Sequence, residues 1–357
     1  MAANNNTPTP DSSGAASVVQ GALGTSRIRY WPRLLAWLAV TILAIGILLQ
    51  LVDFREVMLV LRQSNPWFII LALVLYASSY ILRALRVQRL YPQEHLPLNG
   101  LWQVMALHNL MNYLMPLRTG DLSLIYFLKR RFGVAIGTGT GIWIVTRALD
   151  LLVSLLYLTI ALGIYQYRGG REGSGFVLAI AVVLGSLTLL GLLLLPWVWG
   201  LGLRLLNFVQ ARLPFLRRPI VTSLFTKLEE AGVVIRAPQH RRQLVELTLI
   251  SVALWATLFG FYAAVLQASG IAMLSLPEIV IGSSGAVIAN FLPINSFASI
   301  GTLEAGWVAG FSLIGMSPSV ALLSGIAAHI WIIVFAVGLA VAGIVYDALR
   351  ARLRHGR

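Results

Sequence analysis

The stretch NYLMPLRTGDLSL, residues 112–124, sits inside sequence that otherwise reads as membrane helix. Six consecutive positions hold Pro116, Arg118, Gly120 and Asp121. Proline lacks the N–H a helix needs and clashes with the carbonyl four residues back, and glycine weakens a helix further, so the chain breaks here. An arginine or aspartate at the centre of a membrane helix costs about 2.5–3.5 kcal/mol on insertion scales. Two charges at a break in such surroundings demand a structural or functional reason.

The surroundings follow from composition. Of 357 residues, 58% are hydrophobic and 11% charged, and the mean hydropathy is +0.82. Soluble domains carry about a quarter charged residues, so this composition specifies an integral membrane protein. The absence of cysteine excludes disulfides, thiolate metal sites and cysteine nucleophiles. There is no HExxH and no G-x-S-x-G, and the five histidines are scattered. No catalytic constellation or cofactor site is expected. The glycines at 133, 137, 139 and 141 are followed by no Gly-Lys-Ser/Thr and read as a flexible lead into the next span rather than a phosphate loop. Residues 1–30 form a polar, basic-ended tail that predicts disorder.

About 20 apolar residues cross the hydrocarbon. Six such spans are predicted, at about 34–52, 66–84, 141–165, 176–199 (closing on Pro196-Trp197-Val198-Trp199), 244–266 and 318–346. Two further apolar stretches, 99–131 and 276–316, are each interrupted near the middle. The return leg of the first, Leu122 to Leu128, has seven residues. That is about 10 Å of helix against about 30 Å of hydrocarbon. Both stretches therefore predict re-entrant hairpins, giving an all-α polytopic fold of six spans plus two hairpins. A single domain over 31–346 is expected, with a basic loop at about 200–243 and a basic tail at 347–357.

Sidedness supports this reading. With both hairpins re-entrant, 21 Arg and Lys fall on one side, against Arg55, Arg62, Arg168 and Arg171 on the other. The positive-inside rule makes the richer side cytoplasmic, both termini included. The net charge of +14 then reflects contact with anionic inner-leaflet lipid, not nucleic-acid binding.

The two interruptions echo each other. The first has Asn112 to Pro116, Gly120-Asp121, Gly133 and Arg147; the second has Asn290 to Pro293, Gly301, Glu304, Gly315 and His329. Acid to glycine is 12 residues in one and 11 in the other, and glycine to base is 14 in both. Three spans lie between the hairpins, so the halves, about 66–165 and 244–346, run in opposite senses. Inverted repeats with broken helices in matching positions are a transporter signature. The helix-breaking residues are Pro116 and Gly120 in one half, Pro293 and Gly301 in the other.

The ionisable residues at membrane depth are the site candidates: Arg118, Asp121, Arg147, Asp150, Glu304 and His329. Arg147 and Asp150 share a helix face at i,i+3 and read as a pair. Asp121 also suits an N-cap of the return helix. Glu304 follows Ser296, Ser299, Gly301 and Thr302, a cluster suited to polar head groups. His329 reads either as a packing residue or as a titrating one. His108, Asn109 and Asn112 share a face and either line a hydrated cavity or bond neighbouring helices.

The runs NLMNYLMPLRTGDLSLIYFLKRRFGV (109–134), TRALDLL (146–152) and NFLPINSFASIGTLEAGW (290–307) together resemble the lysylphosphatidylglycerol synthase transmembrane-region family of flippase-like domains. The family's Pro-x-x-x-Gly-Glu is matched by Pro116, Gly120 and Asp121. Of its Glu-Arg pair, Arg147 is kept. Of its second-half Gly-Gly-x-Gly and Arg-Glu, Gly301 and Glu304 are kept, with Leu303 in place of the arginine. Its Tyr-Arg in the last helix corresponds to Ala328-His329. The resemblance implies movement of an anionic or polar lipid across a bacterial cytoplasmic (inner) membrane, with no synthase chemistry. Its implied partners are membrane lipids and a glycosyltransferase or other lipid-pathway enzyme. Two other readings are a non-transporting accessory of a glycolipid, phospholipid or hopanoid pathway and, less favoured, an intramembrane transferase using Asp121 or Glu304.

Overall fold

A computed structural model describes residue 46 and residues 53–91, 96–171, 173–212, 219–236, 241–270, 274–291 and 296–355. The tail at 1–30, the first predicted span apart from residue 46, Pro293 and the side chains of Pro116 and Arg118 lie outside the described residues. Every regular element described is helical: α1 Phe54–Gln63, α2 Pro66–Leu90, α3 Leu98–Leu114, a 3-10 turn Pro116–Asp121, α4 Leu122–Phe132, α5 Ile136–Tyr167, α6 Ser174–Arg212, α7 Pro219–Arg236, α8 Arg241–Ser269, α9 Leu276–Phe291, a 3-10 turn Phe297–Ser299, α10 Thr302–Leu313 and α11 Pro318–His355. Among these, α2, α5, α6, α8 and α11 are long and apolar enough to cross a membrane. The protein is a multi-pass membrane protein.

Local chemistry sets the boundaries. Asn65 caps α2, its side chain accepting from the Trp67 N–H at 3.0 Å, and Pro66 occupies the first turn, where a missing N–H is harmless. The Asn65 N–H in turn donates to the Ala268 carbonyl at 2.9 Å, tying α2 to the end of α8. Gly133 after α4 (φ 71°) and Gly315 after α10 (φ 91°) take the left-handed conformation that lets a helix end abruptly. They hold matching places in the two halves.

The legs of both hairpins are short: 17 and 11 residues for α3 and α4, 16 and 12 for α9 and α10. The longest is about 26 Å at 1.5 Å per residue, short of about 30 Å of hydrocarbon. The first return leg has four more residues than expected, yet still cannot cross. The packing of the two halves corresponds. The inward leg α3 lies on α11, the long helix after the other hairpin, and α9 lies on α5 in the same way. Between them α2 packs along α8, and the two 3-10 turns touch at the centre.

The second hairpin is closed backbone to backbone. A Cβ on Gly285 would strike the Gly306 carbonyl oxygen, one on Gly310 the Gly282 carbonyl oxygen, and one on Gly306 the Gly285 carbonyl oxygen at 2.5 Å. In lipid, where apolar side chains gain little from leaving their solvent, such close approach is what joins helices.

Four expectations are corrected. α6 runs through Pro196 to Arg212 rather than closing at Trp199; proline removes one N–H from the helix, and neighbouring groups meet the carbonyl it frees, so the helix continues past it. The 200–243 segment is not an open loop, because it carries α7, packed on α5. Gly137 and Gly141 are not a flexible lead, since they lie inside α5 and let α7 approach. The Gly137 N–H donates to Glu230 at 3.0 Å, and a Cβ on Gly141 would lie 2.7 Å from the Ala231 carbonyl oxygen. Residues 347–355 continue α11 rather than forming a separate tail, and Asp347 accepts a two-pronged bond from Arg131 at 2.7 and 2.8 Å.

Candidate functional site

The hairpin tips meet over a polar cavity of about 120 Å³. Arg83 and Tyr76 reach it from α2, Asn109, Asn112 and Tyr113 from α3, Arg147 and Asp150 from α5, Trp255 and Tyr262 from α8, Asn290 from α9 and Ser299 from the second tip. The backbone at that tip is strained: Ala298 and Ser299 both have φ of 55°, a region L-residues avoid.

The buried charges are paired, but not as the helix spacing suggested. Arg147 and Asp150 are not each other's partners. Asp150 accepts a two-pronged bond from Arg86 of α2 at 2.7 and 3.0 Å, with the Trp255 indole N–H donating at 3.3 Å. Arg86 is 2% and Asp150 3% exposed. Arg147 pairs with Asp121, at the end of the first tip. Residues three apart on α5 point the same way, but different elements face them there. A fork-to-carboxylate bond across helices is geometrically better than one along a helix. Asp121 accordingly makes no side-chain cap on α4, because its carboxylate is turned to Arg147.

Glu304 and His329 form the second pair, with His329 Nδ1 2.6 Å from Glu304 Oε1. The other carboxylate oxygen accepts from the Gly301 N–H at 2.7 Å, capping α10. Thus in each half an acid of the hairpin binds a base on the following long helix, 26 residues on in one and 25 in the other. The matched spacing seen in the sequence corresponds to an acid–base contact made in both halves. The two pairs are not used alike: Arg147 lines the central cavity, whereas Glu304 and His329 do not. Replacing Glu304 by glutamine should cost about 1.5–3 kcal/mol, the worth of a charged hydrogen bond, and alanine more, since Gly301 N–H and His329 Nδ1 both lose their acceptor. Thermal unfolding of the purified variants tests the order wild type, E304Q, E304A.

His108 does not join the asparagines in the cavity lining; its Nδ1 lies 2.9 Å from Ser123 Oγ, clasping the legs of the first hairpin. The sequence reading missed Arg83 and Arg86, which it counted among the 21 basic residues on the cytoplasmic side. Both lie inside α2, and without them the basic residues still divide 19 against 4. A signal existed: Tyr76, Tyr80 and Arg83 recur at four and three residues, one helix face, and both tyrosines are buried. Arg83 stands apart from the other cavity charges. Among the described residues it has no ion-pair partner, and its Nε is buried without an acceptor.

The sequence profile of the lysylphosphatidylglycerol synthase transmembrane region matches residues 34–340. The chain belongs to this family. As a lysylphosphatidylglycerol synthase transmembrane-region protein it is also similar, at 28% identity over 181 residues, to a protein named glycosyltransferase AglD in Haloferax volcanii. That stretch is 46% of this chain and only 28% of the relative.

Proposed function

We propose that this protein moves a lipid with an anionic head group between the leaflets of the cytoplasmic membrane, both termini facing the cytoplasm. The observation that carries the reading is the charge balance around the central cavity. Arg83, Arg86 and Arg147 meet two carboxylates, Asp121 and Asp150. Among the described side chains the surplus guanidinium is Arg83, and a guanidinium inside a low-dielectric cavity calls for an anion. A phosphate diester supplies one, with Asn109, Asn112 and Tyr113 alongside to bond the rest of a polar head. Arg118, a sequence candidate for the same phosphate, has its side chain outside the described residues. The paired charges hold the walls in place. About 120 Å³ is below the ~300–1,000 Å³ of ordinary ligand sites, so passage of a whole head group requires the tips to part. The driving force would come from a gradient or from consumption of the lipid on the far side. The role is transport rather than catalysis.

The likeness to part of AglD favours a second reading, a membrane partner that presents a lipid to a glycosyltransferase without moving it. Reconstitution into liposomes holding fluorescent phosphatidylglycerol or phosphatidylcholine separates the two. Wild-type protein should accelerate loss of inner-leaflet protection for phosphatidylglycerol. Arg83→Ala should slow it roughly 10- to 100-fold, as loss of a charged hydrogen bond of about 1.5–3 kcal/mol implies, while Arg62→Ala on α1 should not. Movement no faster than in protein-free vesicles sinks the transport reading, and Arg83-dependent binding without movement supports the second.

A further inference from the structure

A larger cavity lies elsewhere. α6 packs on α5 and α7, and beside this contact a space of about 690 Å³ opens among Leu149 of α5, Leu193 and Trp197 of α6 and Leu247 of α8. Its lining is chiefly leucine, with Arg204 of α6 and Arg236 of α7 as its charged members. Both arginines are exposed, and neither has an ion-pair or hydrogen-bond partner among the described residues.

The depth can be read from the helix. Trp197 lies 23 residues beyond Ser174, the start of α6, which is about 35 Å along the axis against about 30 Å of hydrocarbon. The space therefore reaches from the acyl region into the head-group layer, with Trp197 at the interface, where tryptophan concentrates. Arg204 lies about 10 Å further along the helix. An apolar space of this size facing lipid is not left empty by close-packed matter. Arginine forks at its polar end match phosphate oxygens.

We infer that this space is a binding site for an anionic glycerophospholipid, its phosphate between Arg204 and Arg236 and its acyl chains along Leu149, Leu193 and Leu247. It is separate from the central cavity, because α5 is the wall between them: Leu149 faces one, Arg147 and Asp150 the other. The bound lipid fills the wedge between α6 and α8 and holds α7 against the bundle. Its role is that of a resident lipid, not of cargo, and it does not depend on the transport reading.

The test is native mass spectrometry of the full-length protein in detergent, titrated with dioleoylphosphatidylglycerol and, separately, dioleoylphosphatidylcholine. Wild type should retain one phosphatidylglycerol at least fivefold more tightly than phosphatidylcholine. Arg204→Gln with Arg236→Gln should abolish the difference. Arg55→Gln with Arg62→Gln, which removes equal charge elsewhere, should keep it. Leu193→Trp, filling the space, should weaken both lipids; if that variant does not fold, the arginine pair decides alone. Undiminished preference in the Arg204/Arg236 variant, or equal loss in the Arg55/Arg62 control, overturns the proposal.

Discussion

Alanine in place of Arg86 is expected to lower the stability of the protein by about 3–5 kcal/mol, the cost of breaking a buried ion pair from one side. Asp150 would keep its charge at 3% exposure, with the Trp255 N–H at 3.3 Å as its remaining donor in place of a two-pronged guanidinium. Lysine should recover only part of the loss, because one ammonium cannot reproduce the fork. Arg86→Met combined with Asp150→Leu should be far milder than either single change, since it removes both charges from a site where each was expensive. Unfolding in detergent by heat or denaturant reads this cycle. An Arg86→Ala protein as stable as wild type, or a double variant as poor as the single ones, would show that the pair does not hold α2 to α5.

The other large effect belongs to the second hairpin. Gly285→Val should prevent α9 and α10 from closing, because its first added carbon already lands on the Gly306 carbonyl oxygen. Overpacking by one or two methylenes costs about 1–3 kcal/mol in a deformable core, and here the obstacle is backbone, which cannot rotate away. The expected outcome is loss of monodisperse protein after detergent extraction. Gly191→Ala on α6, with nothing within 4 Å of its added carbon, is the matched control and should extract normally. Normal behaviour of Gly285→Val would mean that the legs do not meet at their glycines.

Much of this molecule was open to reading from its residues. The break at Pro116 and Gly120, the two C-terminal glycines at 133 and 315, and the matched acid–base spacings of the halves are local features. Each depends on what a few neighbouring residues do to a backbone in hydrocarbon, where every unpaired N–H is costly. The positive-inside asymmetry survived the reassignment of two arginines because it is a sum over many residues.

Partnership was not legible in the same way. Arg147 and Asp150 share a face, yet one binds the hairpin tip and the other binds α2. Gly137 and Gly141 looked like slack and are the seam for α7. Arg83, counted by sequence on the cytoplasmic side, lines the central cavity and has no ion-pair partner among the described residues. In each case the deciding neighbour comes from a distant part of the chain. Hydropathy and helix-breaking residues determine that a segment enters the bilayer and where it turns, because lipid acts on each segment alone. Which charge meets which is decided only when helices pack, because an ion pair depends on the few ångströms between side chains that no local pattern records.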